Sequence, residues 1–146
     1  MKLISEKIQA LYNSDGKGLE NSDYVPRIIN DRHHKRITGL VSDAMSKGAK
    51  LVTGGTADVK DRYIEPTVLT NMTEDMDIMN QEVFGPVMAV LPYSKREDVL
   101  KIIAKRPSPL ALYIYSTDKD AIEYFLTNTS SGSAVVNNNC IQAGTN

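Results

Sequence analysis

Three short apolar runs recur at a constant interval late in this chain, and they constrain its fold more than any other feature. Val87-Met88-Ala89-Val90-Leu91, Leu110-Ala111-Leu112-Tyr113-Ile114-Tyr115 and Ser133-Ala134-Val135-Val136 begin at residues 87, 110 and 133, a spacing of 23 residues. Between them lie two helical patterns, each opened by a cap signature. Ser94-Lys95-Arg96-Glu97 precedes Val99, Ile102 and Ile103; Thr117-Asp118-Lys119-Asp120, with Asp in place of Glu, precedes Ile122, Phe125 and Leu126. In a capping box the hydroxyl accepts from a free helix N–H and the carboxylate reaches back to the cap's own N–H. Strands apolar on both faces, joined by a helix of about three turns, are what a parallel sheet requires. The pattern predicts an α/β fold with a parallel-sheet βαβαβ core. The first half does not share the period, so two consecutive crossovers describe it better than a solenoid does.

Upstream of that core the sequence predicts two helices and an edge hairpin or strand pair. Ile4, Ile8, Leu11 and Tyr12 fall on one helical face, ended by the turn formers Asn13-Ser14-Asp15-Gly16. Residues 17–26 are polar and read as a loop. A second helix opens at Asn30 or Asp31, either of which can cap it, carries Ile37, Leu40, Val41 and Ala44 on one face, and closes at Gly48. A strand at Ala49-Lys50-Leu51-Val52 and a turn at Gly54-Gly55 lead to Tyr63-Ile64-Glu65-Pro66-Thr67-Val68-Leu69. Pro66 cannot donate to a ladder, which makes that second piece an edge or bulged strand.

The length of 146 residues fits one domain with a substantial core. Net charge is -1, from 17 basic and 18 acidic residues, and offers no electrostatic reason to expect nucleic acid or an anionic membrane as partner. No apolar run approaches the roughly 20 residues needed to span a bilayer. The single cysteine, Cys140, excludes an intrachain disulfide, and the chain reads as cytoplasmic.

Few residues invite a chemical role. His33 and His34 are adjacent, so on a helix they point about 100° apart and make a poor chelating pair; they read as polar surface or end-of-helix packing, and no metal site is expected. Cys140 follows the last strand, where α/β folds often bind ligands, but no activating base is identifiable, and it reads as an incidental thiol. Gly16 and Gly18 follow a helix, and Gly54-Gly55 leads to none, so neither stretch is a phosphate loop. Glu74, Asp75, Asp77 and Glu82 read as solvated acids, and Arg32, Lys35 and Arg36 as a solvated helix face.

Asn80-Gln81-Glu82-Val83-Phe84-Gly85-Pro86 differs from these. A carboxylate and an aromatic, two residues apart, directly precede a Gly-Pro turn that launches a buried strand; the glycine permits unusual φ and the proline fixes the strand's entry. By pattern alone the segment reads as a hydrophobic plug beside a solvated glutamate, with a ligand contact as the alternative.

Gln81-Glu82-Val83-Phe84-Gly85-Pro86-Val87 resembles the E-x-F-G-P motif of aldehyde dehydrogenases, and further matches follow in the family's order. Ile28-Ile29-Asn30-Asp31-Arg32-His33 resembles the I-I-N-x-R-H stretch of the class 3 and fatty-aldehyde branch. Arg62-Tyr63-Ile64-Glu65-Pro66-Thr67-Val68-Leu69 resembles R-Y-I-x-P-T-V-L. Pro109 to Ser116 resembles P-L-A-L-Y-V-F-S, and Thr129-Ser130-Ser131-Gly132-Ser133 resembles T-S-S-G-G. The resemblance covers nearly the whole chain. It implies NAD(P)-dependent oxidation of aldehydes to acids in the parent enzyme, with Glu82 bonding the nicotinamide-ribose hydroxyls and Phe84 packing beside the nicotinamide. A carboxylate can accept from both hydroxyls and a ring supplies an apolar wall; such contacts orient the acceptor carbon without performing chemistry.

The same resemblance limits the chain. The family's catalytic cysteine, its general-base glutamate in E-L-G-G, its oxyanion-hole asparagine and its dinucleotide-binding domain lie upstream of the matched region. Residues 1–146 therefore read as a partial, truncated catalytic domain with no catalytic residue, ending at Gly144-Thr145-Asn146 just before the family's P-F-G-G stretch. Cys140 aligns near the family's V-N-x-x segment and is not the nucleophile. The expectation is a fragment inactive alone, with no NAD or NADP bound by this chain by itself, prone to self-association or to pairing with the missing part or a full-length homologue. The competing reading is a non-catalytic binding or assembly module built on the same fold.

Overall fold

In the computed structural model, residues 2–141 are described, so the expectation at Gly144-Thr145-Asn146 lies outside the described residues. They pack as two compact units, Met1–Pro92 and Tyr93–Asn146.

The first unit opens with α1 (Lys2–Tyr12), followed by a polar loop holding a single 3-10 turn at Leu19–Asn21. Helix α2 (Asp31–Ser46) begins where a cap was expected: the Asn30 side chain accepts from the backbone N–H of His33, satisfying one of the free donors of the first turn. Its face of His34, Ile37, Leu40 and Ala44 is buried. Strands β1 (Lys50–Thr53), β4 (Thr67–Thr70) and β5 (Val87–Ala89) form a sheet in the order β1-β4-β5, while β2 (Ala57–Asp58) and β3 (Tyr63–Ile64) make a separate antiparallel ribbon. β1 runs antiparallel to β4, with a bulge between Leu51 and Thr53; β5 runs parallel to β4. Leu40, Ala44, Ala49, Leu69, Met76 and Ile78 form the core under this sheet, and a smaller cluster joins Leu19, Val25 and Tyr63.

Pro66 does not make its strand an edge strand. It lies between β3 and β4, outside both ladders, and β4 takes the central place. The missing N–H is thus never required, and the first ladder donor is Thr67, which bonds the Pro86 carbonyl at 2.8 Å.

The second unit is a parallel crossover: α3 (Arg96–Ala104), β6 (Ala111–Ile114), α4 (Lys119–Asn128) and β7 (Ser133–Val136), with β6 and β7 paired in register from Ala111–Ser133 to Ile114–Val136. The α/β class therefore holds, and the parallel strands occur as two pairs, β4 with β5 and β6 with β7.

Neither capping box forms as expected. Helix α3 starts at Arg96, which puts Lys95 at the cap with no side-chain bond to the free N–H groups. Ser94 is one residue too early. Helix α4 starts at Lys119, so Asp118 rather than Thr117 is the cap, accepting from Asp120 N at 2.9 Å and Ala121 N at 3.0 Å. Asp118→Ala should accordingly cost about 1 kcal/mol, and Ser94→Ala less than about 0.5 kcal/mol, by urea denaturation. Equal losses would contradict the two cap assignments.

Candidate functional site

The three family-like stretches of the first unit converge. Ile28 donates its N–H to the Arg62 carbonyl at 3.0 Å, and the Arg62 guanidinium donates to the Ile29 carbonyl at 3.0 Å. One helical turn later, His34 is 4% exposed and its Nε2 lies 3.0 Å from the Tyr63 carbonyl. A buried imidazole needs such a partner, so His34 is a packing residue that ties α2 to β3. Burial also pushes the Tyr63 hydroxyl up to about 12.

The Glu82–Pro86 segment enters this framework from the other side. Val83 packs against the core cluster, whereas Glu82 and Phe84 flank it and are exposed. Phe84 is 78% exposed and has φ 45, a left-handed conformation uncommon for a bulky residue. The plug reading is thereby overturned: the half-buried Val83 packs against the core, and the backbone turn at Phe84 throws the ring outward. Gly85 is not the residue with positive φ, as the sequence suggested. Its role is close approach, because a Cβ there would stand 2.7 Å from Cδ1 of the buried Ile37 on α2.

Phe84 stands on a groove of about 770 Å³ whose walls include Ile4 and Ile8 of α1, Ile28, and Pro86 and Met88 at β5. His33 and Arg27 are the basic side chains on it. Arg27 is engaged elsewhere, paired with Asp61 at 2.7 Å and donating to the Val25 carbonyl. The arrangement can offer a flat apolar group a ring and an aliphatic wall. Glu82 does not line the groove; it stands beside it as an exposed acceptor.

Within the first unit, the acidic candidates separate from this site. Asp43, Asp75 and Asp77 gather around Lys47, whose ammonium bonds Asp43 at 2.8 Å and the Asp75 carbonyl at 2.6 Å. The Lys47 hydrogen bond, followed by the Asp77 N–H, holds the Asp43 carboxyl below its usual range. This cluster fastens the 70–80 segment to α2. Cys140 is a free, exposed thiol in the second unit. Among the described residues, no group of three His, Cys, Asp or Glu side chains could hold a metal ion, and no helix is long and apolar enough to cross a membrane.

Arg36 was also misread from sequence. It is no solvated charge: its Nη1 donates to the Glu82 carbonyl at 3.0 Å and its Nη2 to the Val83 carbonyl at 2.6 Å. No local signal links residues 46 and 47 positions apart.

The family model described as "Aldehyde dehydrogenase family" matches residues 2–146. An aldehyde dehydrogenase of Craterostigma plantagineum is 38% identical over 134 residues, covering 92% of this chain and 27% of that protein. A dimeric NADP-preferring aldehyde dehydrogenase of Bos taurus is 37% identical over 134 residues, covering 92% of this chain and 53% of that one. Among solved structures, Staphylococcus aureus AldH in its substrate-bound state superposes with a TM-score of 0.87 at 33% identity, over 97% of this chain and 30% of that one. The chain thus spans between about a quarter and about half of the length of these relatives.

Proposed function

The chain belongs to the aldehyde dehydrogenase family, and from that premise we propose that it supplies the nicotinamide-riboside half of an NAD(P) site. In this reading Glu82 accepts from the ribose hydroxyls and Phe84 forms one wall beside the nicotinamide ring. The observation that carries it is the segment's geometry: Val83 packed against the core, with Glu82 and Phe84 both exposed on either side of it. An aromatic held outward in a left-handed backbone has no packing role to explain it.

The nucleophile that forms a thiohemiacetal and the base that assists it are not assigned to any residue here. Cys140 is a free, exposed thiol of the second unit, and no role as nucleophile is proposed for it. Residues 1–146 are read as part of a catalytic domain whose dinucleotide-binding domain is not among them. The parent reaction is oxidation of an aldehyde to an acid with NAD or NADP, and this chain alone is expected to hold neither tightly. Completion of the site calls for the remaining parts of the catalytic domain and the dinucleotide-binding domain; pairing with those parts or with a full-length homologue, or self-association, is the proposed fate of the exposed groove. A cytoplasmic location goes with the single free thiol.

The test is direct. The purified chain, incubated with NAD or NADP and short, long and aromatic aldehydes, is expected to give no increase in NAD(P)H absorbance. Reproducible turnover lost on dilution of the chain itself would contradict this assignment of roles.

A further inference from the structure

The forked contact of Arg36 is the feature that the family resemblance leaves unassigned. The carbonyls of Glu82 and Val83 belong to the two peptide groups that flank Val83, and the guanidinium holds both. Two consecutive peptide planes fixed in this way determine where the Glu82 side chain leaves the backbone and how the chain enters the left-handed turn at Phe84. A planar guanidinium can span two acceptors at once; a lysine ammonium is a single point and cannot reproduce the fork.

Attachment of the segment does not depend on this clamp. Val83 packs on the core cluster, and the Pro86 carbonyl accepts from Thr67 at 2.8 Å. Those contacts hold the segment at its middle and its end, but neither sets the rotation of the peptide planes between them. Direction is what Arg36 adds.

We propose that Arg36 is a positioning residue for the cofactor contact: from α2 it fixes the two peptide planes that aim Glu82 and Phe84 at a nicotinamide riboside. This rests on the reading of Glu82 and Phe84 given above, and it predicts that the site depends on a residue that never touches the cofactor.

The experiment uses the whole chain, as wild type, Arg36→Met and Arg36→Lys, followed by nuclear magnetic resonance. In the wild type, Phe84 should show the strong intraresidue amide–Hα Overhauser effect that a positive φ produces. Arg36→Met should lose it, and should weaken the response of residues 82–86 to nicotinamide mononucleotide about tenfold. Thermal unfolding of the same variants reports any general loss of structure. Arg36→Lys, which keeps the charge and the aliphatic stem, should stay folded and still fail to restore the Phe84 signal. Added methylguanidinium should restore it in Arg36→Met where methylammonium does not. Wild-type behaviour at Phe84 in either folded variant would overturn the proposal. If even the wild type ignores nicotinamide mononucleotide, the cofactor reading falls, and the Phe84 signal with its guanidinium rescue decides the clamp independently.

Discussion

Replacing Gly54 by Ala is expected to destabilise the Met1–Pro92 unit by about 3 kcal/mol, the sum of a left-handed penalty and a steric clash. Gly54 has φ +81, and a Cβ built there would stand 2.4 Å from the Pro66 carbonyl oxygen and 2.7 Å from Cα of Thr67. Both are backbone atoms, so no rotamer change relieves the overlap. The turn must move, or the start of β4 must. Thr67 is poorly placed to yield, because its hydroxyl accepts from Gly55 and donates to the Glu65 carbonyl while its N–H holds Pro86. A shift there is passed directly to the Glu82–Pro86 segment. Gly48→Ala is the control: φ is +95, but nothing lies within 4 Å of the added carbon, so only the dihedral cost of about 1 kcal/mol applies. Urea denaturation of the two variants separates the terms. Equal losses would show that the close approach at Gly54 does not constrain the fold.

Leu69→Ala is the second large effect, with an expected loss of about 3 kcal/mol. Leu69 has 0% exposure and lies in the middle of the central strand, opposite Leu51 on β1 and Ala89 on β5. Its backbone is held from both sides, so the surroundings cannot collapse into the space left by the side chain. Leu51→Ala on the edge strand β1, where the side chain is 44% exposed, should cost less than about 1 kcal/mol. The comparison reads the sheet order energetically. A Leu69→Ala variant as stable as Leu51→Ala would contradict the central placement of β4.

What the sequence made legible follows from the range of the interactions involved. Helix α2 has a strong apolar period and a capping Asn30, both local signals, and its limits agree with the structure. The β6-α4-β7 crossover is likewise written in local hydrophobicity and spacing. The cap of α4 was shifted because Thr117 and Asp118 are equally good candidates until the helix's first turn is known; at α3 the cap position fell on Lys95, whose side chain makes no cap bond. Pro66 suggested an edge because a missing donor argues against pairing, but a proline just outside the ladder imposes no such cost.

The site shows the same division. The resemblance singled out Glu82 and Phe84, and Glu82 was read as solvated; the exposure of Phe84 was not legible, since Val83 and Phe84 are both apolar and either could have packed on the core. The tertiary frame chose Val83. Arg36 was invisible for a different reason: its partners are backbone carbonyls, which every residue carries, on a segment 46 and 47 positions away.

The central claim, that Glu82 to Pro86 forms half of a cofactor site, is tested most directly by titrating the labelled chain with nicotinamide mononucleotide and, separately, adenosine monophosphate. The contact is small, so the dissociation constant should be on the order of 1 mM or weaker. Amide resonances of residues 82–86 should move with nicotinamide mononucleotide and stay still with adenosine monophosphate, and Phe84→Ala should abolish the response. No movement in that segment, or equal movement with both nucleotides, would contradict the account.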